Sequence, residues 1–205
     1  MRKDKVRVAV LVSGGGTNLQ AILDAERSGV IHSAKVELVI SSSPDAYALE
    51  RARLADIPAV AVERKACDSQ ADFERQLTEL LDRYGIELIV LAGFLSILSK
   101  DFTSRYPRRI LNVHPSLIPS FCGKGFYGLR VHEAALAKGV KVTGATVHFV
   151  NEIPDDGEIL LQKAVAVRKG DTPQSLQSRV MRQAEWKLLP AAVELVSNEI
   201  LTKNA

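Results

Sequence analysis

The chain has 205 residues, a net charge of +3, 46% hydrophobic and 25% charged residues, a composition typical of a globular protein with a buried core. A charge this small does not indicate nucleic acid as a partner. Cys67 and Cys122 lie far apart without metal-ligand spacing, which predicts a reducing compartment and no disulfide framework. The charged N-terminus leads into only a short apolar run, so we expect a cytoplasmic protein and no membrane partner.

A glycine-rich turn follows the first predicted strand. Residues 6–12 (VRVAVLV) are typical of a strand buried in a parallel sheet, and residues 19–23 have helical spacing. A turn such as 13–18 (SGGGTN) exposes backbone N–H groups at a helix N-terminus, which is a geometry that binds phosphate. The glycine spacing is neither the dinucleotide fingerprint nor a Walker A loop. A tight turn that needs glycine only for its backbone angles is the alternative.

The next segments alternate between strand and helix patterns. Ranges 36–40, 59–62, 88–92 and 110–113 are predicted strands, and ranges 46–55 and 68–84 are predicted helices. Residues 93–98 (GFLSIL) form an unusually apolar loop at a strand end. This loop is either a cover for the core or an apolar wall for a flat ligand.

The second half of the chain places its strands closer together. A helix is predicted over 131–138, β-rich segments over 140–150 and 158–167, and a long helical region over 173–200 with a kink or break near Pro190. This order predicts an α/β fold, a doubly wound and mostly parallel Rossmann-like sheet with a mixed or antiparallel edge. We expect one domain over 1–205, with a phosphate-binding half at about 1–100 and a catalytic half at about 101–205.

The strand at 110–113 carries the strongest candidates for chemistry. Pro115 stops the strand, so Asn112 and His114 stand two residues apart on one side of its carboxyl end. Ligands of open α/β sheets bind at this end. An amide can hold a developing oxyanion, and an imidazole can move a proton near neutral pH. A histidine with an ordinary structural role is the alternative.

Three histidines, His114, His132 and His148, precede the acidic turn Asp155-Asp156-Gly157. The sequence has no short-spaced ligand pair and no nucleophile elbow, so we expect neither a metal nor a nucleophilic serine. A carboxylate from this turn would raise the pKa of a neighbouring imidazole and orient it. The same three residues are also an ordinary turn signal. Residues 120–128, with three glycines among aromatics, predict a mobile loop over the site.

Five motifs in order resemble the phosphoribosylglycinamide formyltransferase family over about residues 6–190. They are SGGGTN at 13–18, LAGFL at 91–95, LNVHPSLIP at 111–119, GATVHFV at 144–150 and DDG at 155–157. The resemblance implies transfer of a formyl group from 10-formyltetrahydrofolate to the amine of 5-phosphoribosylglycinamide, in de novo purine synthesis and without a metal.

The resemblance also implies the site residues. The catalytic residues would be Asn112, His114 and Asp155, with Asp155 chosen over Asp156 because the family's aspartate lies seven residues after the histidine matching His148. The acceptor's phosphate and ribose would contact Gly14, Gly15, Gly16, Thr17, Asn18 and Glu185. The folate would contact Gln70, Leu95, Ser96, Ile97, Leu98 and Asn112. Gln70 and Ser96 replace arginines of some family members, which bears on contacts to the folate tail.

Other classes of protein fit the sequence less well. Two related formyl-folate enzymes, the deformylase and the methionyl-tRNA formyltransferase, carry an additional domain for which we expect no room here. A dinucleotide-dependent oxidoreductase would need an acidic residue where this chain has Ser41-Ser42-Ser43. A non-catalytic phosphate-binding module has no use for an Asn–His pair. Small-molecule substrates are the expected partners, and either a monomer or a homodimer is compatible with the sequence.

Overall fold

Within residues 5–203, which the computed structural model describes, one seven-stranded sheet lies between layers of helices. The order across the sheet is β3-β2-β1-β4-β5-β6-β7. The strands are β1 (Val6–Val12), β2 (Ala34–Ser41), β3 (Ala59–Ala61), β4 (Leu88–Leu91), β5 (Ile110–His114), β6 (Val142–Phe149) and β7 (Ile159–Ala166).

The direction of the strands confirms the predicted sheet. Strands β1 to β5 pair in parallel, whereas β6 runs antiparallel to both β5 and β7. The chain winds outward from β1 in one direction through β2 and β3, and in the other through β4 and β5. The strand order therefore reverses between β1 and β4, and the crevice at their carboxyl ends is the position where doubly wound folds bind ligands.

Helices cover both faces of the sheet. They are α1 (Thr17–Arg27), α2 (Tyr47–Leu54), α3 (Gln70–Arg83), α4 (Lys100–Thr103), α5 (Leu129–Lys138), α6 (Pro173–Val180) and α7 (Trp186–Lys203), with a 3₁₀ turn at Arg64–Ala66 and a π turn at Met181–Glu185. Val8 and Val10 belong to the cluster beneath α1 and α7, whereas Ala9 and Leu11 belong to the cluster beneath α3. This alternation fills both cores from one strand, because successive side chains point to opposite faces. None of the described helices is long and apolar enough to cross a membrane.

The expected kink at Pro190 was wrong in its position. Helix α7 continues through Pro190, and the irregular backbone lies earlier, in the π turn Met181–Glu185. Pro190 sits four residues after Trp186, the first residue beyond that turn. In a regular helix, an N–H at position 190 would bond to the Trp186 carbonyl. Proline lacks this N–H, and Trp186 directly follows the π turn, where the helical hydrogen-bond pattern is already interrupted. The 3₁₀ turn and α4 were not foreseen, since elements this short carry no periodicity.

Gly144 in β6 lies very close to the backbone of β7. A Cβ at this position would lie 2.0 Å from the Lys163 carbonyl oxygen and 2.8 Å from Leu117 Cδ2. We expect Gly144→Ala to lower the free energy of unfolding by about 2 kcal/mol or more, because the backbone of β7 must move. Urea unfolding measures this. Gly14→Ala is the control, since a Cβ at Gly14 would meet nothing within 4 Å. If Gly144→Ala is as stable as Gly14→Ala, the expectation is contradicted.

Candidate active site

Two neighbouring strands and one loop bring the candidate catalytic groups together. Asn112 and His114 lie two residues apart in β5, and β6 places His148 directly opposite Asn112. The chain then leaves β6 and returns through residues 150–158, which carry Asp155 back to the same place. The structure therefore joins Asn112, His114 and Asp155, as the sequence predicted, and adds His148 to them.

The Asp155 carboxylate is shared by four groups. Its Oδ2 accepts the Gly123 N–H at 2.8 Å and lies 3.4 Å from His114 Nδ1. Its Oδ1 accepts the Asn112 Nδ2 amide at 3.3 Å and lies 3.6 Å from His148 Nε2. One largely buried charge, on a side chain that is 12% exposed, thus fixes the relative positions of three side chains and one loop.

The turn that carries Asp155 is shaped to direct this residue inward. Asp155 has a φ of 59°, in the left-handed region that aspartate tolerates better than most residues. A Cβ at Gly157 would lie 1.7 Å from the Phe149 carbonyl oxygen, so only glycine allows the loop to pass so close to β6. The neighbouring Asp156 side chain is exposed. Asp155 is therefore the acid beside His114.

The hydrogen bonds fix which ring nitrogens carry protons. His114 Nε2 lies 2.8 Å from the Phe121 carbonyl, and a carbonyl only accepts, so Nε2–H donates. In the neutral ring Nδ1 is then bare and faces Asp155. In the same way His148 donates from Nδ1 to the Phe149 carbonyl at 2.8 Å, and its Nε2 accepts the Asn112 amide at 3.1 Å.

Burial outweighs the acidic neighbour in setting the charge of His114. Desolvation lowers the pKa of His114 below its ordinary value, although Asp155 and the Phe121 carbonyl raise it. The carboxylate raises this pKa, as the sequence predicts, but the burial that outweighs it cannot be read from residue types. Burial raises the pKa of Asp155, but its neighbours lower it by more, and they are the imidazoles of His148 and His114 and the Gly123 N–H that donates to it. The resting pair is a neutral imidazole beside a carboxylate.

A third buried imidazole, in addition to those of His114 and His148, lies near His114. His132 in α5 is fully buried, and neither ring nitrogen has a hydrogen-bond partner among residues 5–203. Desolvation, with a smaller contribution from His114, lowers the pKa of His132 to about 4. His132 is therefore neutral at physiological pH.

The glycine turn after β1 exposes backbone donors at the start of α1. Gly16 is the N-cap, with a φ of 69°, and a Cβ there would lie 2.6 Å from Ala48 Cβ. Both the angle and the space require glycine. Among the described residues, no group accepts the backbone N–H of residues 15–18. These donors lie at the N-terminal, positive end of the α1 dipole, so they are suited to bind an anion.

The last functional element of the chain reaches this turn. Glu185, at the end of the π turn, accepts a hydrogen bond from Asn18 Nδ2 at 2.8 Å. Burial raises the pKa of Glu185 to about 7, which the Asn18 bond opposes. Thr17 Oγ1 contacts Met181 of the same π turn at 3.7 Å. The structure thus unites the turn and the distant glutamate that the resemblance assigned to one substrate.

The apolar loop after β4 lines a cavity of about 110 Å³ beside the cluster. Its walls are residues 94–98 and 150–155, and Asn112 and His148 lie at its base. Leu95 and Ile97 are 61% and 57% exposed, and Ile153 opposite them is 54% exposed. Apolar side chains that stay this exposed at the rim of a polar cluster are suited to cover a flat ring. Leu98 is buried and supports the loop from below.

Gln70 and Ser96 differ in how available they are to a ligand. Gln70 Nε2 donates to Glu74 at 2.6 Å and to the Ile97 carbonyl at 3.0 Å, and its Oε1 accepts from Arg64 at 2.9 Å. The Gln70 amide is therefore occupied in tying the apolar loop to α3. Ser96 is half-buried and borders the cavity.

The sequence did not reveal three partners of the cluster. The Phe121 carbonyl and the Gly123 N–H come from the loop predicted to cover the site, and backbone groups leave no trace in residue types. The third partner is His148, whose place opposite Asn112 follows from the pairing of two β-rich segments. Among the described residues, no group of three or more His, Cys, Asp or Glu side chains is placed to hold a metal ion.

The fold and the cluster together define an α/β protein with a site suited to chemistry at a carbonyl carbon. The chain belongs to the formyl transferase family, whose model matches residues 6–193. The resemblance read from the five motifs is therefore confirmed.

Several named proteins show which members of the family this chain is similar to. The chain is 40% identical to the phosphoribosylglycinamide formyltransferase of Haemophilus influenzae, covering 92% of this chain and 85% of that protein. It is 43% identical to the human trifunctional purine biosynthetic protein adenosine-3, of which it spans 19%. A crystal structure of glycinamide ribonucleotide transformylase 1 from Symbiobacterium toebii has a TM-score of 0.89 and 43% identity, covering 96% of this chain and 89% of that one.

His132 should make the protein sensitive to acid. Its pKa is lowered on folding from 6.5 to about 4, so its contribution to stability is complete above pH 6.5 and is lost as the pH falls toward 4. The limit for one such group is about 1.4 kcal/mol per pH unit. His132→Leu should reduce the dependence of the unfolding free energy on pH in this window. The control is His32→Gln, on an exposed side chain; an unchanged slope in His132→Leu would show that the imidazole is not buried neutral.

Proposed function

We propose that the protein transfers a formyl group from 10-formyltetrahydrofolate to the amine of 5-phosphoribosylglycinamide, a step of de novo purine synthesis. The observation that carries this proposal is the sharing of the Asp155 carboxylate by Asn112 and His114, between a turn suited to phosphate and an apolar wall. The similarity to relatives of comparable length supports it. The predictions of one domain over 1–205 and of a cytoplasmic location remain compatible with this role.

The two substrates divide the crevice. The acceptor's phosphate meets the N–H groups of residues 14–18, and its ribose meets Glu185 behind them. The pterin ring lies against the wall of Leu95, Ser96, Ile97 and Leu98, with its formyl group toward Asn112. Gln70 acts on the folate through the wall that it anchors.

Asn112 stabilises the charge that develops when the amine attacks the formyl carbon. As the new C–N bond forms, the carbonyl oxygen becomes an oxyanion. Both hydrogens of Asn112 Nδ2 are engaged in this structure, at 3.1 Å to His148 and at 3.3 Å to Asp155. The longer bond is the one exchanged for the oxyanion, while His148 keeps the amide in place.

His114 moves the proton between the two nitrogens. Its bare Nδ1 accepts the proton that the attacking amine releases, and Asp155, 3.4 Å away, stabilises the imidazolium so formed. The proton then goes to the folate nitrogen as the C–N bond to the folate breaks. One bond forms, one breaks, and the proton moves from the acceptor amine to the donor amine.

A direct assay tests the proposal. Purified protein with 10-formyltetrahydrofolate and 5-phosphoribosylglycinamide should release tetrahydrofolate and form the formylated acceptor, and His114→Ala should abolish this with native circular dichroism. Formate released at the same rate without acceptor would indicate a deformylase. Transfer only to methionyl-tRNA would indicate the other related enzyme. Either result would refute the assignment of the acceptor.

The two neighbouring aspartates should differ in effect. Asp155→Asn removes the charge beside His114 and should lower kcat by about 100-fold or more. Asp156→Asn should change kcat by less than about threefold, because that side chain is exposed. Steady-state kinetics of both variants measures the ratio, and the reverse ranking would mean that Asp156 is the supporting acid.

Gly16→Val should weaken the phosphate site selectively. The variant forces a β-branched residue to a φ of 69° and places its Cβ against Ala48, which deforms the turn at a cost of about 1–3 kcal/mol. The KM for phosphoribosylglycinamide should rise at least tenfold, with little change in the Kd for the folate. If folate binding weakens and the ribonucleotide is spared, the turn serves the folate instead.

A further inference from the structure

We propose that Arg51 in α2 is a positioning residue for the acceptor's phosphate, acting through the backbone of the glycine turn. The inference rests on the proposed function, since it assumes that this turn binds a phosphate. Nothing in the sequence distinguishes Arg51, which is one of three charged residues in a short helix (YALERARL). Its role emerges only from contacts with a turn about 36 residues away along the chain.

Helix α2 holds two consecutive carbonyls of the turn. The Ala48 N–H donates to the Gly14 carbonyl at 3.1 Å. The Arg51 Nε–H donates to the Gly15 carbonyl at 2.8 Å, and its NH1 donates to Gln20 Oε1 in α1 at 2.9 Å. The guanidinium thus joins α2, the turn and α1 in one planar arrangement.

These two bonds determine where the N–H groups of the turn point. In a trans peptide the carbonyl and the following N–H lie on opposite sides of the bond, and the structure has its cis bond elsewhere, at Ile118–Pro119. With the Gly14 and Gly15 carbonyls directed at α2, the N–H groups of Gly15 and Gly16 are directed away from it. Glycines impose no orientation of their own. Arg51 therefore sets the direction of the Gly16 donor.

The charge of Arg51 adds to the effect. Within residues 5–203 no carboxylate forms an ion pair with Arg51, whose guanidinium lies 5.1 Å from the centre of the Tyr47 ring. Arg53, two residues on, pairs instead with Glu50 at 2.7 Å on the exposed face. The half-buried Arg51 contributes an uncompensated positive charge behind the turn, which favours an anion in front of it.

The test compares three variants with two acceptors. Arg51→Met keeps the aliphatic stem but removes the fork, Arg51→Lys keeps the charge, and Arg53→Met is the matched control on the same helix. Each is assayed with phosphoribosylglycinamide and with its phosphate-free counterpart. In parallel, inorganic phosphate is titrated into ¹⁵N-labelled protein while the amide signals of Gly15 and Gly16 are followed.

Arg51→Met should raise the KM for the phosphorylated acceptor about tenfold, roughly the effect of one hydrogen bond to a charged group, with kcat within about twofold. The phosphate-free acceptor should react as with wild type, and the Gly16 amide shift on adding phosphate should be lost. Arg51→Lys should show most of the same rise in KM as Arg51→Met, because an ammonium cannot bond to both Gly15 and Gln20 as a planar guanidinium does. Arg53→Met should match wild type.

Several results would overturn the proposal. One is that Arg51→Met equals Arg53→Met in every measurement. Another is that Arg51→Met loses as much activity on the phosphate-free acceptor, which would indicate a general structural role. Full recovery by Arg51→Lys would mean that charge alone acts. If the wild-type protein neither distinguishes the two acceptors nor shows the amide shift, the phosphate site itself is refuted, and the role of Arg51 with it. If the wild-type protein does both, a negative result with Arg51→Met refutes only the role of Arg51.

Discussion

The largely buried Asp155 carboxylate is the constraint on which the rest of the site depends. Because β6 runs antiparallel to β5, its carboxyl end lies beside the beginning of β5, and the chain must fold back over His148 to bring an acid to His114. This return explains the left-handed backbone at Asp155 and the glycine at 157 that passes against Phe149. A carboxylate out of water needs partners, and the Gly123 N–H and the Asn112 amide supply them.

The resting charges of the cluster favour one order of proton transfer. Burial keeps His114 neutral while its neighbours keep Asp155 charged. A neutral ring with a bare Nδ1 is prepared to accept a proton from an amine and only then to give one away. The sequence predicts the acid that raises the pKa of the ring but contains no local signal of the burial that lowers it. In the proposed mechanism, Asp155 therefore stabilises an imidazolium that forms only during the reaction.

Local sequence patterns predict the strands of the sheet, whereas the features that the sequence does not predict depend on tertiary contacts. Apolar runs located the buried strands, Pro115 located the end of β5, and three glycines located the turn, because each of these is a property of a few adjacent residues. The Phe121 carbonyl that orients His114 and the Asn18–Glu185 bond across 167 residues depend on packing. The π turn before Glu185 depends on it as well, since Pro190 directed the expectation of irregular backbone to the wrong place.

The charge of Glu185 bears on whether an anion can bind in the neighbouring glycine turn. A charged carboxylate bonded to Asn18, next to a turn suited to phosphate, would repel the ligand proposed for it. Burial raises the pKa of Glu185 to about 7, so a large fraction of the protein carries a neutral carboxyl there at neutral pH. A phosphate dianion in the turn would favour the neutral form further, and a protonated carboxyl can donate a hydrogen bond as well as accept one. Burial, which also lowers the pKa of His114, therefore allows a neutral acid to lie beside the turn that is proposed to bind an anion.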